Sequence, residues 1–172
     1  MIKLKKNKIG RNKMDHKKIA SELFIEGYNC AQAVFAAFTD VTGLERDYAL
    51  RLAAGFGGGM GRMREVCGAC SGMFMVAGVL FGYTDPKATT EKAGHYALIQ
   101  ELAARFKARM GGTIICRELM ENLKNGAPIS TDPLHPTPRN EEFYRERPCL
   151  RFVECAAEIL DELIEERGRT EE

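Results

Sequence analysis

Residues 66–81 constrain the fold most, because almost every residue in this segment is apolar or small. A helix of this composition needs neighbours on every side, so the segment predicts a central buried helix. The longest apolar run, residues 73–83, contains Gly78 and Gly82 and is about half of the roughly 20 residues that span a bilayer. We therefore expect a buried helix and no membrane span.

Helical spacing of apolar residues and capping residues predict further helices along the chain. Asn29 is a good N-cap for one of them, and Asp85 with Pro86 is typical of the start of another. No segment shows the period-two alternation of a strand. The sequence predicts an all-α, single-domain bundle of six or seven helices over residues 14–172. The predicted helices cover residues 15–26, 30–38, 45–54, 66–81, 86–110, 113–123 and 148–167.

Two loops of unusual composition interrupt this predicted bundle. Five of the seven residues 55–61 are glycine, so the backbone there can take positive φ and approach another group closely. This loop lacks the G-K-S/T of a P-loop but is a candidate anion or cofactor loop. Its candidate residues are Gly57, Gly58, Gly59, Gly61 and Arg62. Five of the six prolines lie within residues 128–148, which predicts an extended loop or lid over residues 125–140.

The net charge of +1 hides an uneven distribution. Residues 1–13 carry six basic side chains and no acidic one, whereas the rest of the chain has more acidic than basic residues. We expect a basic disordered tail at residues 1–13 and no nucleic-acid binding by the domain. Because no apolar signal segment follows these charges, we also expect a cytoplasmic protein. Thiols in that compartment stay reduced unless they are catalytic, metal-bound or redox-sensing.

Four of the six cysteines share one position, the first turn of a predicted helix. Unpaired N–H groups and the helix dipole stabilise anions there, so the pKa of a thiol can fall. Arginines near two of these cysteines would act in the same direction. The four candidate catalytic thiols are Cys30, Cys67, Cys116 and Cys149.

The remaining two cysteines lie deeper in predicted helices. Cys70 follows Cys67 in a C-x-x-C spacing, which makes it a possible resolving thiol for disulfide exchange. Ser71 occupies the position where c-type haem attachment requires histidine, so no c-type haem is expected. For Cys155, simple packing in the core is the expectation.

Several motifs together resemble the C_GCAxxG_C_C family, whose members are described as redox-active. The resemblance covers roughly residues 15–163, and it implies that Cys30, Cys67, Cys116 and Cys149 are the four defining cysteines. Cys70 occupies a variable position of the C-G-A-x-x-G motif. The motifs that carry the resemblance are GYNCAQAV at 27–34, GFGGGMG at 55–61, CGACSG at 67–72, CREL at 116–119, and Cys149 with the FV and AA pairs that follow it.

Three functions remain open from the sequence. The first is a redox protein, a possible oxidoreductase with an unidentified redox partner, in which the four thiols perform thiol–disulfide or electron-transfer chemistry. The second is a metal protein, since Cys30, Cys67, Cys116 and Cys149 form a complete ligand set for zinc or an iron–sulfur cluster. The third is a non-catalytic helical ligand-binding or interaction module whose cysteines only pack. A homodimer is a further expectation, because the central helix is so apolar.

Overall fold

The computed structural model describes residues 14–123 and 134–170, and these residues form nine α-helices and no strand. Seven of the nine helices have seven residues or more, which confirms the all-α prediction. The basic segment 1–13 and residues 125–133 of the predicted lid lie outside the described residues. The helices are α1 (His16–Glu26), α2 (Cys30–Ala37), α3 (Thr39–Thr42), α4 (Arg46–Ala53), α5 (Gly68–Phe81), α6 (Thr89–Arg109), α7 (Cys116–Leu123), α8 (Glu141–Glu146) and α9 (Cys149–Thr170).

Capping residues fix the beginnings of the first helices, as the sequence predicts. The Asp15 carboxylate accepts the N–H of Lys18, and Gly27 ends α1 in the left-handed conformation. Asn29 begins α2 with a capping box, in which its side chain accepts backbone N–H groups and Gln32 accepts the N–H of Asn29. These caps satisfy backbone donors that the first helical turn leaves unpaired.

The centre of the bundle is α2 rather than α5, which corrects the prediction from residues 66–81. Helix α2 packs against α1, α4, α5 and α9, and six of its eight residues are buried. Helix α5 is buried through its first half, but Phe74, Val79 and Phe81 remain partly exposed. The small side chains of α2 allow this central position because they let four helices approach its axis.

Glycines bring α2 and α5 into close contact. A Cβ atom on Gly72 would lie 2.7 Å from the carbonyl oxygen of Ala31, and one on Gly68 would lie 3.0 Å from the carbonyl oxygen of Phe56. Only glycine fits at Gly72 without a shift of the backbone. Gly78, further along α5, has no atom within 4 Å of the corresponding Cβ position.

Several helix boundaries differ from the prediction: α5 begins at Gly68 rather than residue 66, α7 begins at Cys116 rather than 113, and α9 ends at Thr170 rather than 167. Helix α6 begins at Thr89 rather than Pro86, because the Asp85 carboxylate accepts the N–H of Lys87 in a separate turn before the helix. The short helix α8 was not predicted, because prolines lie on both sides of it in the sequence. It begins after Asn140, whose side-chain oxygen accepts the N–H of Phe143 as an N-cap. Among the helices described, none is both long and apolar enough to span a membrane.

Candidate functional site

The four cysteines singled out by their position in sequence line one cavity of ≈ 440 Å³. They reach it from four separate places in the chain: Cys30 begins α2, Cys116 begins α7 and Cys149 begins α9, while Cys67 is the residue that precedes α5. The predicted placement in the first helical turn is therefore confirmed for three of them. Cys67 instead lies one residue before its helix, at the N-cap position. All six cysteines are present as free thiols.

The position of Cys30 is set by the cap of α2. The side-chain amide of Asn29 donates to the carbonyl of Ala54, which ties the start of α2 to the end of α4. Gly57 then passes against Asn29 so closely that a Cβ there would lie 2.5 Å from the Asn29 side chain. The glycine loop and Cys30 are thus held together, with Cys30 half-buried at the cavity wall.

Cys67 and Cys116 are positioned by an isolated antiparallel bridge between Val66 and Ile115. The N–H of Cys67 donates to the carbonyl of Ile114 at 2.8 Å, and the N–H of Cys116 donates to that of Glu65 at 2.6 Å. This pairing aligns the starts of α5 and α7. Both thiols are nearly covered, with Cys67 3% and Cys116 8% exposed.

Cys149 lies at the start of α9. Its thiol donates to the Sδ of Met120 at 3.8 Å, and the thiol of Cys30 lies close enough to act on its pKa. Like Cys30, Cys149 is only half-buried, so these two thiols are the more accessible members of the four.

The glycine loop has an unusual backbone. Gly58, Gly59 and Gly61 have positive φ as predicted, but so do Met60, Arg62 and Arg64, where an L side chain costs about 1–2 kcal/mol. Such strain persists only where surrounding contacts impose it, and it is common at functional sites. A Cβ on Gly59 would lie 2.7 Å from the Cβ of Cys116, so the loop itself forms the wall beside that thiol.

The pKa values of Cys30 and Cys149 are shifted in opposite directions, and the largest cause in each case is a hydrogen bond between the two thiols. It lowers the pKa of Cys149, and the positive charges of Arg147, Arg139 and Arg64 lower it further against the opposing effect of burial. The same hydrogen bond, followed by burial, raises the pKa of Cys30 far above its ordinary value. Cys149 is therefore the more acidic thiol of the pair and Cys30 the less acidic one.

The expectation that a helix start lowers the pKa of every one of the four thiols is wrong for Cys30 and Cys116. Burial is the largest cause at Cys116, and with the charges of neighbouring thiols it raises the pKa to about 11. Burial and a hydrogen bond to Cys67 likewise raise the pKa of Cys70. The helix dipole cannot compensate for the removal of water around these sulfur atoms.

Four arginines line the cavity: Arg62, Arg64, Arg139 and Arg147. The contribution of Arg139 was not predicted, because it lies in a proline-rich segment that has no helical period. Arg145 and Arg151, which the sequence placed beside Cys149, are exposed and do not line the cavity.

The second hypothesis from the sequence is a metal or cluster site formed by the four thiols. No group of three or more cysteine, histidine, aspartate or glutamate side chains in residues 14–123 and 134–170 is close enough to hold a metal ion.

A comparison with family models places the chain among known proteins. The model described as "Putative redox-active protein (C_GCAxxG_C_C)" matches residues 28–163. The chain belongs to the C_GCAxxG_C_C family. No curated protein and no solved structure matches the chain significantly.

The matched residues include the four cysteines that line the cavity, Cys30, Cys67, Cys116 and Cys149. The family's description supports a general redox role.

Proposed function

We propose that this protein performs thiol–disulfide exchange, with Cys149 as the attacking thiolate and Cys30 as the thiol that resolves the mixed disulfide. The observation that carries the proposal is that these two half-buried thiols line one cavity and differ in acidity, with the pKa of Cys149 lowered and that of Cys30 raised. Membership of a family described as redox-active supports the same assignment.

The order of attack follows from the asymmetry of the pair. Thiolates rather than thiols are nucleophiles, so the cysteine with the lowered pKa attacks first, and that cysteine is Cys149. Its sulfur forms a bond to one sulfur of a substrate disulfide, and the other sulfur leaves as a thiolate that takes up a proton. Cys30 then loses its proton and attacks the Cys149 sulfur, which releases the second substrate sulfur as a thiol.

The net reaction balances in electrons. One substrate disulfide gains two electrons and two protons and becomes two thiols, while Cys30 and Cys149 lose them and become one disulfide. Run in reverse, the same steps oxidise substrate thiols. The protein is then restored by exchange with a second thiol or disulfide, its redox partner.

The more buried cysteines, Cys67, Cys70 and Cys116, have a different role in this scheme. Cys67 and Cys70 are hydrogen-bonded to each other, and Cys70 is completely buried. Cys70 thus serves as a resolving thiol for Cys67 only, and it acts after the accessible pair has reacted. Cys116 contributes its thiol to the wall beside Gly59.

The test is a redox titration in buffers of defined thiol-to-disulfide ratio, followed by acid quenching and alkylation of the remaining thiols. The wild-type protein is expected to lose two alkylatable thiols reversibly in its first transition. Cys30→Ser and Cys149→Ser are each expected to lose that transition.

Cys155→Ser is the matched control, because Cys155 is 2% exposed and does not line the cavity. It should keep the transition. If Cys30→Ser and Cys149→Ser titrate like the wild type, the proposed function is wrong.

A further inference from the structure

Three of the arginines that line the cavity, Arg64, Arg139 and Arg147, have no acidic counterpart there. In the part of the chain that the structure describes, none of the lining residues is aspartate or glutamate. A Cys149 thiolate supplies at most one negative charge against them. Buried or half-buried charges are normally paired, so an uncompensated set of this kind is typical of a site for an anionic ligand.

Several arginines outside the cavity are paired with carboxylates in salt bridges. Arg105 contacts Glu101 and Glu166, Arg109 contacts Glu162 at 2.7 Å, and Arg117 contacts Glu65 at 2.9 Å. In contrast, Arg64, Arg139 and Arg147 form no salt bridge with any carboxylate of the described residues. The acidic residues within 14–123 and 134–170 all lie outside the cavity lining.

Arg64 supplies the most specific observation. Its Nη2 atom is buried and has no hydrogen-bond partner, although leaving a charged donor unpaired costs about 1–3 kcal/mol or more. Its backbone is held at a φ of 63°, so the chain places this guanidinium in the cavity despite a strained conformation. A guanidinium nitrogen in this state is ready to donate to an anion that enters the cavity.

Arg139 and Arg147 face the same space from the other side. Arg139 lies over the rings of Phe24 and Phe143 at 4.6 and 4.7 Å from the ring centroids, and Arg147 lies 4.9 Å from that of Phe143. Burial and the neighbouring charges of Arg64 and Arg139 lower the pKa of Arg147. The three guanidinium groups thus crowd one another beside an apolar surface.

We propose that the cavity binds a small organic disulfide or thiol bearing a carboxylate group, with the carboxylate on Arg64 and Arg147 and the sulfur at Cys149. This inference rests on the proposed function and adds its substrate class. The phenylalanine rings and Met120 accommodate the organic body, and the arginines select its charge. A cavity of ≈ 440 Å³ matches a small molecule of this kind rather than a folded protein partner.

The chemical step is the exchange already described, with the anionic disulfide as the oxidant. Cys149 forms a mixed disulfide with one half of it, and the other half leaves as an anionic thiol. Attack by Cys30 then releases the second anionic thiol and leaves the protein disulfide.

Three small disulfides of different charge test the inference: dithiodipropionate is anionic, hydroxyethyl disulfide is neutral and cystamine is cationic. Rates of oxidation of the reduced protein are measured at low ionic strength. The wild type is expected to react with the anionic probe at least about tenfold faster than with the neutral one, and most slowly with the cationic one. Equal rates with the anionic and neutral probes would overturn the inference.

The readout for variants is the ratio of the anionic rate to the neutral rate, because this ratio cancels any change in the reactivity of Cys149. Arg64→Gln and Arg147→Gln should each bring the ratio close to one. Arg151→Gln removes the same charge from the exposed start of α9, outside the cavity, and should leave the ratio unchanged. A ratio that falls equally in Arg151→Gln would show that only the overall charge matters.

A second measurement separates the site from the redox chemistry. Suberate has the length and charges of dithiodipropionate but no disulfide, and it should protect Cys149 from alkylation by neutral iodoacetamide in the wild type but not in Arg64→Gln. If no disulfide oxidises the protein while suberate protects, the proposed function fails and the anion site stands. If suberate gives no protection, the carboxylate site is wrong.

Discussion

The thiols of Cys30 and Cys149 line one cavity and shift each other's pKa in opposite directions, although Cys30 begins the second helix of the chain and Cys149 begins the last. Three arginines face this pair, and their charges act on Cys149. Cys149 is therefore the more acidic thiol and Cys30 the less acidic one. This asymmetry gives the predictions about reactivity a definite direction.

Alkylation of Cys149 should follow a titration with a midpoint below that of an ordinary thiol, because its pKa is lowered by Cys30 and the arginines. Cys30→Ala removes the hydrogen-bond donor and should shift the midpoint to higher pH. Cys30→Ser keeps a hydroxyl donor and should shift it less. The measurement is the rate of iodoacetamide labelling of Cys149 against pH, read by mass spectrometry.

Cys155→Ala serves as the control for this series, and its Cys149 profile should match the wild type. A wild-type midpoint at or above the ordinary thiol value would contradict the assignment of Cys149 as the attacking group.

Cys155 and Cys116 should resist alkylation in the folded protein. Burial raises the pKa of each thiol to about 11, and each is less than a tenth exposed. Both should become reactive when denaturant unfolds the chain. Labelling of either at the rate of Cys149 under native conditions would contradict the burial of that thiol.

Gly72→Ala and Gly78→Ala should have opposite effects on stability, although both glycines lie in α5. A Cβ on Gly72 would lie 2.7 Å from the Ala31 carbonyl oxygen, so α2 and α5 must separate, at a cost of about 1–3 kcal/mol. Gly78 has open space there, so alanine should stabilise the helix by about 0.5–1 kcal/mol. The measurement is the free energy of unfolding of the two variants in denaturant. An equal loss of stability in both would contradict the close packing of α2 on α5.

His16 should make the stability of the protein depend on pH. Burial lowers its pKa, but hydrogen bonds and charges from Asp161 at 2.6 Å and Asp40 at 3.0 Å outweigh burial and raise it. Protonation of His16 is therefore favoured by folding. Its contribution is complete below the unfolded pKa of about 6.5 and is lost as pH rises through the folded pKa.

The free energy of unfolding should accordingly fall from about pH 6 upward in the wild type. His16→Asn should be less stable by about 1.5–3 kcal/mol below that pH and should show a flatter pH dependence. An identical pH slope in the variant would mean that the His16 cluster carries no charge on folding.

Helix type and the site cysteines were predictable because they depend on local signals. Asn29 caps α2 through its own neighbours, and a helix start can be recognised from such a cap without knowledge of the fold. The same local signals identified Cys30, Cys116 and Cys149. The glycine loop was identified by composition alone, since only a need for positive φ or close approach explains so many glycines together.

The pKa directions and the central helix depend on contacts between distant residues, so the sequence could not supply them. Cys30 has the same local setting as Cys149, yet its pKa moves in the opposite direction because of which thiol donates to the other. Arg139 reaches the cavity from a segment without periodicity. Helix α2 is central because four helices pack on it, although α5 is the more apolar.

Disulfide mapping of the mildly oxidised wild-type protein tests the central claim most directly. The protein is oxidised in its first two-electron transition, quenched in acid, digested without reduction and analysed by mass spectrometry. The account predicts one cross-linked peptide pair that joins Cys30 to Cys149. A first disulfide between Cys67 and Cys70, or a protein whose six thiols all remain free, would contradict it.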